Sequence, residues 1–293
     1  MKTILLMLVL LFISCTEQTP VNNVNGNNNN ETSFFRIEIE PSLSFDRNTL
    51  LMVRADTLIP SLNGIYSAQV NNPIRTEEYL RDKIISPTLG VNTNVMAFLR
   101  TSKLYFYDKL LDTSYISSLS QSFQMVIFLN DTMLIGEILQ SIVTISYPSL
   151  NISTLAEGFL PAIYRADTIA YLNSFTSSVH IIHLATPTKI LSLPSVGGDI
   201  AIDTIFASRP KSFSIEPNSR RYCYSLWNGQ NFDIYSGGSG NETDKKIAES
   251  DFSGVIMLNA NSILFTGNDG RLYETDFLGK ISIPYWAAVN SDY

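Results

Sequence analysis

Few side chains in this sequence could perform catalysis or bind a metal, and their spacing keeps them apart. The two histidines, His180 and His183, lie three residues apart in a predicted β-strand. Side chains three positions apart on a strand leave opposite faces, so these two cannot bind the same ion. The carboxylates are scattered singly, and there is no Gly-x-Ser-x-Gly elbow, P-loop, dinucleotide-binding glycine pattern or EF-hand spacing. The sequence therefore predicts no catalytic residue, no metal ligand and no cofactor.

The two cysteines predict different chemistry. Cys15 follows a short basic start, Met1-Lys2, and an apolar run from Ile4 to Ile13. That run is too short for a membrane-spanning helix, which needs roughly 20 residues, and is typical of a cleaved export signal. If Cys15 is modified, Cys223 has no partner within the chain, and its place in the strand-like segment Arg221-Tyr222-Cys223-Tyr224 favours a buried, inert thiol over a reactive one.

The residues immediately before Cys15 resemble a known processing site. Phe12-Ile13-Ser14-Cys15 resembles a bacterial lipobox, with a small residue directly before the cysteine. The resemblance implies that residues 1–14 are removed and that Cys15 becomes a lipidated N-terminus in the bacterial cell envelope, at the outer membrane on its periplasmic side or at the cell surface. Residues 15–33 are rich in Asn without apolar periodicity, which predicts a flexible tether. The alternative is an ordinary secretory signal followed by a free cysteine.

The overall charge excludes one class of partner. The chain has 20 Lys and Arg against 27 Asp and Glu, a formal net charge of −7. An acidic surface is unsuited to nucleic acid, so no nucleic-acid partner is expected. Charged residues make up only 16% of the chain, and Tyr and Phe are frequent, which favours a protein with much buried sheet.

The remainder of the chain repeats one layout six times: a strand, a polar turn, a strongly apolar strand and a third, often aromatic, strand. The turns begin at Asn48, Asn94, Asp131, Asp167, Asn218 and Asn261. Spacings near 40 residues fit four-stranded propeller blades, each of which buries its two apolar faces against its neighbours. We predict an all-β, six-bladed β-propeller over residues 34–293, with blades near 41–85, 86–123, 124–159, 160–209, 210–253 and 254–283. The alternative is a β-sandwich with coincidental spacing.

The ends of this region predict how the ring closes. Residues 34–40 read as a strand before the first blade, and residues 280–285 read as another after the last. We expect one of them to complete the sheet that the other begins. Pro284 suits a strand end or an edge.

One blade carries a family resemblance. Residues 213–219 (FSIEPNS) and 224–235 (YSLWNGQNFDIY) resemble the repeats of TolB-type six-bladed propellers, F-S-P-D-G followed by S-x-x-x-G-x-x-D-I-Y. The last repeat, residues 267–273, is also similar to quinoprotein-like propeller repeats. The resemblance implies propeller architecture across residues 41–283. TolB carries a further N-terminal α/β domain for which this chain has no room, so the resemblance implies no partner.

The favoured functional hypothesis is a cell-envelope lipoprotein whose propeller binds or scaffolds through its loops. Its partners would be the membrane, through the lipid anchor, and another envelope protein or a glycan. Residues that connect one blade to the next inner strand should form the rim of the central funnel. These candidates are Lys83, Ser86, Arg209, Lys211, Asp251 and Ser253.

Two alternatives stay open from the sequence. The first is a propeller enzyme, either a hydrolase of a glycan or small molecule or a quinone-dependent dehydrogenase, which would require several polar side chains converging in the funnel. The second is a subunit without a site, held to an envelope protein by an aromatic patch that includes Trp227, Tyr285 and Trp286.

Overall fold

The computed structural model describes residues 36–44, 46–56, 64–80, 85–90, 94–174, 178–187, 190–195, 210–238, 244–280 and 282–285. The predicted signal peptide, Cys15 and the tether therefore lie outside the described residues. Within them, every regular element is a β-strand, and no helix has the length and apolar character required to cross a bilayer.

The described residues form six sheets, each of four antiparallel strands in chain order. The first three sheets are β1 (Arg36–Leu43), β2 (Thr49–Asp56), β3 (Gly64–Gln69) and β4 (Asn72–Leu80); β5 (Ile85–Leu89), β6 (Val95–Arg100), β7 (Lys103–Asp108) and β8 (Thr113–Ile116); and β9 (Met125–Asn130), β10 (Met133–Ile138), β11 (Ser141–Ser146) and β12 (Ile152–Glu157).

The last three sheets repeat the same order. They are β13 (Phe159–Arg165), β14 (Thr168–Leu172), β15 (Ser178–His183) and β16 (Ile190–Ser195); β17 (Pro210–Ile215), β18 (Tyr222–Trp227), β19 (Phe232–Gly237) and β20 (Lys245–Ser250); and β21 (Val255–Met257), β22 (Ser262–Thr266), β23 (Leu272–Asp276) and β24 (Ser282–Pro284).

The second strand of each sheet explains why the sequence folds into stacked sheets. All five residues of β14 and all five of β22 are buried, so neither strand has a solvent face. A strand that is buried on both faces needs apolar side chains at successive positions, which produces the apolar runs after each polar turn. Six clusters of buried side chains lie along these strands and form the core.

The sheets form a closed ring. Each first strand contacts the first strand of the next sheet, from β1 through β5, β9, β13 and β17 to β21, and β21 in turn contacts β1. The first strands therefore surround the centre of a β-propeller, and the prediction of this all-β fold is confirmed.

The expected mode of ring closure is wrong. β1 pairs with β2 in the first sheet and β24 pairs with β23 in the last, so neither terminal strand completes the other's sheet. Side chains join the two sheets instead: Arg47 donates to the carbonyls of Met257 and Leu258, and the Tyr285 hydroxyl donates to the Val70 carbonyl at 3.2 Å. Leu50, Met52 and the other apolar members of one core cluster fill the space between the two sheets. Each sheet already has four strands of its own, so no strand remains to be exchanged.

Candidate functional site

A cavity of about 690 Å³ lies at the centre of the ring. Its wall includes residues from all six inner strands, with β13 and β17 contributing along their whole length. A volume of this size lies within the range of small-molecule binding sites. The inner strands therefore enclose a cavity that is large enough for a small molecule.

Irregular pairing of the inner strands shapes the wall. In five inner strands the register with the second strand shifts: between residues 39 and 42, 85 and 88, 128 and 130, 159 and 162, and 210 and 212. In four of them, β1, β5, β13 and β17, a proline lies within or at the edge of the bulge: Pro41, Pro87, Pro161 and Pro210. An inner strand has a strand partner on one side only, and proline, which lacks an N–H group, is tolerated at such an edge. The bulges redirect the side chains that face the cavity.

The bulge in β13 is stabilised by a buried carboxylate. Leu160 has a φ of 50°, in the left-handed region that is unusual for a non-glycine residue and is disfavoured before a proline. Glu137, on the second strand of the preceding sheet, accepts a hydrogen bond from the Leu160 N–H through Oε2 at 2.8 Å. Its side chain is only 3% exposed. The pair fixes an irregular backbone at the cavity wall, the kind of feature that clusters at binding sites.

Hydroxyl groups tie some inner strands to the next. Thr88 Oγ1 accepts a hydrogen bond from the Phe128 N–H at 2.8 Å, between the second and third sheets. Ser212 Oγ donates to the Val255 carbonyl at 3.1 Å, and Ser214 Oγ accepts from the Met257 N–H at 3.0 Å, between the fifth and sixth. These bonds satisfy backbone groups that the free edge of a strand would otherwise leave without a partner.

The charged side chains of the wall are mainly cationic. Arg47, Arg165 and Lys211 line the cavity, and Glu137 is the carboxylate among the described lining residues. Burial lowers the pKa of the Arg47 guanidinium, while the nearby carboxylate of Glu216 opposes that shift. Burial alone would raise the pKa of Glu216, but hydrogen bonds from Ser219 and Asn218 outweigh it and hold that pKa below its ordinary value.

The six predicted rim residues do not all lie at the cavity. Lys211 and Ser253 line the cavity. Asp251 is exposed, and its N–H donates to Asn268 Oδ1 at 2.9 Å, outside the described cavity lining. Ser86 lies in β5, but its side chain is not described, and Lys83 and Arg209 lie outside the described residues. Their role in binding stays a prediction.

Sequence reasoning missed Arg47, Arg165, Glu137 and Leu160 as residues near the site. Arg47 lies in the turn after an inner strand and Arg165 at the end of one, whereas the prediction considered only the connections before inner strands. The available signal was a proline in four inner-strand segments, because proline marks a strand edge.

The remaining reactive side chains lie away from the cavity lining. His183 Nε2 is 2.7 Å from Asp167 Oδ2, and His180 packs edge-on against Tyr171, where burial lowers the histidine pKa. Cys223 is fully buried, and burial raises the pKa of its thiol. Over the residues that the structure describes, no three His, Cys, Asp or Glu side chains come together as a metal site.

Comparison with solved structures identifies the fold. The chain is similar to TolB from Acinetobacter baumannii, with a TM-score of 0.54, 10% identity, and coverage of 84% of this chain and 62% of TolB. It is also similar to a chain of the nidogen/laminin complex, with a TM-score of 0.54, 9% identity, and coverage of 85% and 91%. Hsv2 from Kluyveromyces lactis gives a TM-score of 0.50 at 12% identity, with coverage of 84% and 76%.

These similarities define the class of protein as a β-propeller. At such low identity they support the fold alone, and they do not single out TolB-type repeats. No model of a known protein family matches the chain, and no curated protein matches it in sequence.

Proposed function

We propose that this protein is a lipid-anchored binding module of the bacterial cell envelope, and that its binding site is the central cavity with its rim. The observation that carries the proposal is the cavity itself, which all six inner strands line and five of them shape through shifts in pairing register. The lipobox-like sequence before Cys15 supports the anchor and the location. An envelope protein or a glycan as the partner stays a prediction.

The enzyme alternative has less support from the described side chains. Among the described residues that line the cavity, Glu137 carries the carboxylate, and its Oε2 accepts the hydrogen bond from the Leu160 N–H. Both histidines lie on β15, the third strand of its sheet, rather than on an inner strand. Acid–base catalysis requires groups that converge on a substrate, and the described wall offers cations and hydroxyls instead.

An exposed apolar patch is the alternative to the cavity as a surface for binding a partner protein. Tyr285 was a candidate for an aromatic patch, but its hydroxyl bonds to the first sheet; Trp227 packs against Phe232, and Trp286 lies outside the described residues. A different apolar patch is exposed at the outer edge of the second sheet, where Leu110, Leu111 and Ile116 are 77%, 69% and 54% exposed. We call it the outer-edge patch.

The proposal is tested by capturing partners from native membranes with the full-length protein anchored through Cys15. The informative variant is Ser253→Trp, which places an indole at the cavity wall. Leu139→Trp is the matched control, because Leu139 is 83% exposed on a hairpin turn. We expect a stoichiometric partner with the wild type and with Leu139→Trp, and its loss with Ser253→Trp. Equal capture by all three proteins would contradict binding through the cavity.

A further inference from the structure

The charged residues that the structure describes in the cavity wall have a net charge opposite to that of the whole protein. The chain has a formal net charge of −7, yet the described charged residues of the wall are Arg47, Arg165 and Lys211 against Glu137. A cationic wall in an acidic protein attracts anions into the cavity while the outer surface repels them.

Two carboxylates, Glu137 in the wall and Glu216 beside Arg47, accept hydrogen bonds from neighbouring groups. Glu137 is buried and accepts the Leu160 N–H. Glu216, which interacts with Arg47, accepts hydrogen bonds from the Asn218 and Ser219 N–H groups at 3.0 and 2.7 Å, and two more from their side chains. Both carboxylates keep their negative charge while they accept these bonds, so together they offset part of the positive charge of the three described cations.

The cations lie at the two ends of the cavity. Each sheet has four antiparallel strands, so the chain returns to the same side of the ring before every inner strand, and all inner strands run in one direction. Arg165 ends β13 and Arg47 follows the end of β1, whereas Lys211 is the second residue of β17. The two arginines therefore share one end, and Lys211 lies toward the other.

The wall between these ends is largely apolar. Val126, Ile127, Ala162, Phe213 and Val255 line it, together with the prolines of the bulges. Such a wall favours a ligand with an apolar body, because burying that body removes apolar surface from water. A guanidinium at one end suits a carboxylate, which it binds through paired N–H donors.

We propose that the cavity binds a small amphipathic organic anion, with its carboxylate at the Arg47 and Arg165 end and its apolar body along the wall. This inference rests on the proposed function, since it names the ligand class of the same site. Lys211 attracts the anion at the other end, and Arg165 is the more accessible of the two arginines.

The test uses three probes with one body and different end groups: 4-phenylbutyrate, 4-phenylbutan-1-ol and 4-phenylbutylamine. Each is titrated calorimetrically into full-length protein in lipid nanodiscs, with empty nanodiscs as the blank. We expect 4-phenylbutyrate to bind with one-to-one stoichiometry and about tenfold or more tightly than the alcohol. The amine should bind most weakly. The three probes differ only in the end group that meets the arginines, so the differences in affinity report that contact.

Variants assign the effect to the cavity. Arg165→Gln should weaken binding of 4-phenylbutyrate about tenfold and leave the alcohol unchanged, and Lys211→Gln should have a smaller effect in the same direction. Arg271→Gln is the matched control, because Arg271 is exposed on the turn between β22 and β23. Arg47 is left intact, since it also joins the first and last sheets.

Three results would overturn the inference: no binding of 4-phenylbutyrate, equal binding of all three probes, or equal effects of Arg165→Gln and Arg271→Gln. Failure of the ligand class is distinguishable from failure of the proposed function. If Ser253→Trp abolishes capture of a membrane partner while no probe binds, the cavity is a binding site and the ligand class is wrong.

Discussion

Two neighbouring interfaces of the ring are held together by different means. Between the fifth and sixth sheets, Ser212 and Ser214 join the inner strands, while Ser236 Oγ donates to the Phe277 carbonyl and Arg221 Nη1 to the Ala260 carbonyl. Between the sixth and first sheets, side-chain hydrogen bonds come from Arg47 and Tyr285. Among the described residues, the interface between sheets five and six is bonded along its inner and outer strands, whereas the closing interface has two bridging side chains and an apolar cluster.

These contacts show how the ring closes without strand exchange. The chain itself connects sheets five and six, which are bridged by short hydroxyl side chains as well as by the longer Arg221 and Lys245. The first and last sheets come from opposite ends of the described chain, and the long side chains of Arg47 and Tyr285 reach across their boundary to carbonyl groups. We therefore expect the closing interface to be more sensitive to single substitutions.

The largest expected effect is that of Arg47→Met. It keeps an apolar stem but removes the charged donor to two carbonyls, and hydrogen bonds to charged groups contribute about 1.5–3 kcal/mol each. We expect a loss of about 2–4 kcal/mol in the free energy of unfolding, measured by urea denaturation. Arg271→Met is the control and should change it by less than about 0.5 kcal/mol. A loss no larger than the control's would show that the apolar cluster alone closes the ring.

Thr88→Val tests an inner-strand hydroxyl at an internal interface. It preserves shape and removes the acceptor of the buried Phe128 N–H, which should cost about 1–3 kcal/mol. Thr144→Val is the matched control, because Thr144 is partly exposed and its hydroxyl makes only a long bond of 3.3 Å. If Thr88→Val destabilises the protein more than Arg47→Met does, the closing interface is not the more sensitive one.

Tyr285→Phe should have a smaller effect, because it removes a single hydroxyl whose bond to Val70 is 3.2 Å long. We expect a loss of about 0.5–1.5 kcal/mol. Burial raises the pKa of Tyr285 to about 12, so this phenol should stay protonated when exposed tyrosines ionise near pH 10. Spectrophotometric titration of the wild type and the variant checks this, and loss of a component titrating near pH 10 in Tyr285→Phe would contradict the buried contact.

Glu216→Gln gives an effect that depends on pH. The folded-state pKa of Glu216 lies below its ordinary value of 4.5, so this group stabilises the folded state above that value, and the contribution is lost as pH falls through the folded pKa. The stability difference between wild type and variant should therefore be largest at neutral pH and shrink at pH 3. Urea denaturation at both values measures it, and a difference that grows on acidification would contradict the assignment.

The β-propeller fold could be predicted from the sequence because the repeated pattern reflects a physical requirement for burial. Turns such as Asn48 and Asn261 are followed by apolar strands that must be buried on both faces, and only stacked sheets provide that burial. Closure was mispredicted because residues 34–40 and 280–285 are strand-like in either arrangement. The sequence does not show whether a terminal strand adds to its own sheet or to another.

The site was only partly predictable for a related reason. Lys211 and Ser253 follow from the rule that connections to inner strands form a rim. Leu160 and Glu137 come together only through a bulge and a contact between sheets, and neither follows from spacing along the chain. Prolines at inner-strand bulges are the local signal that indicates such irregular walls.

The most direct test of the central claim, that the protein binds through its cavity, is site-specific photo-cross-linking in native membranes. A photoreactive amino acid is placed at Ser253 in one protein and at Ile116, in the outer-edge patch, in another. We expect a specific cross-linked product from position 253 that is competed by 4-phenylbutyrate, and none from position 116. A product from position 116 alone would contradict it and would assign binding to the outer edge of the second sheet.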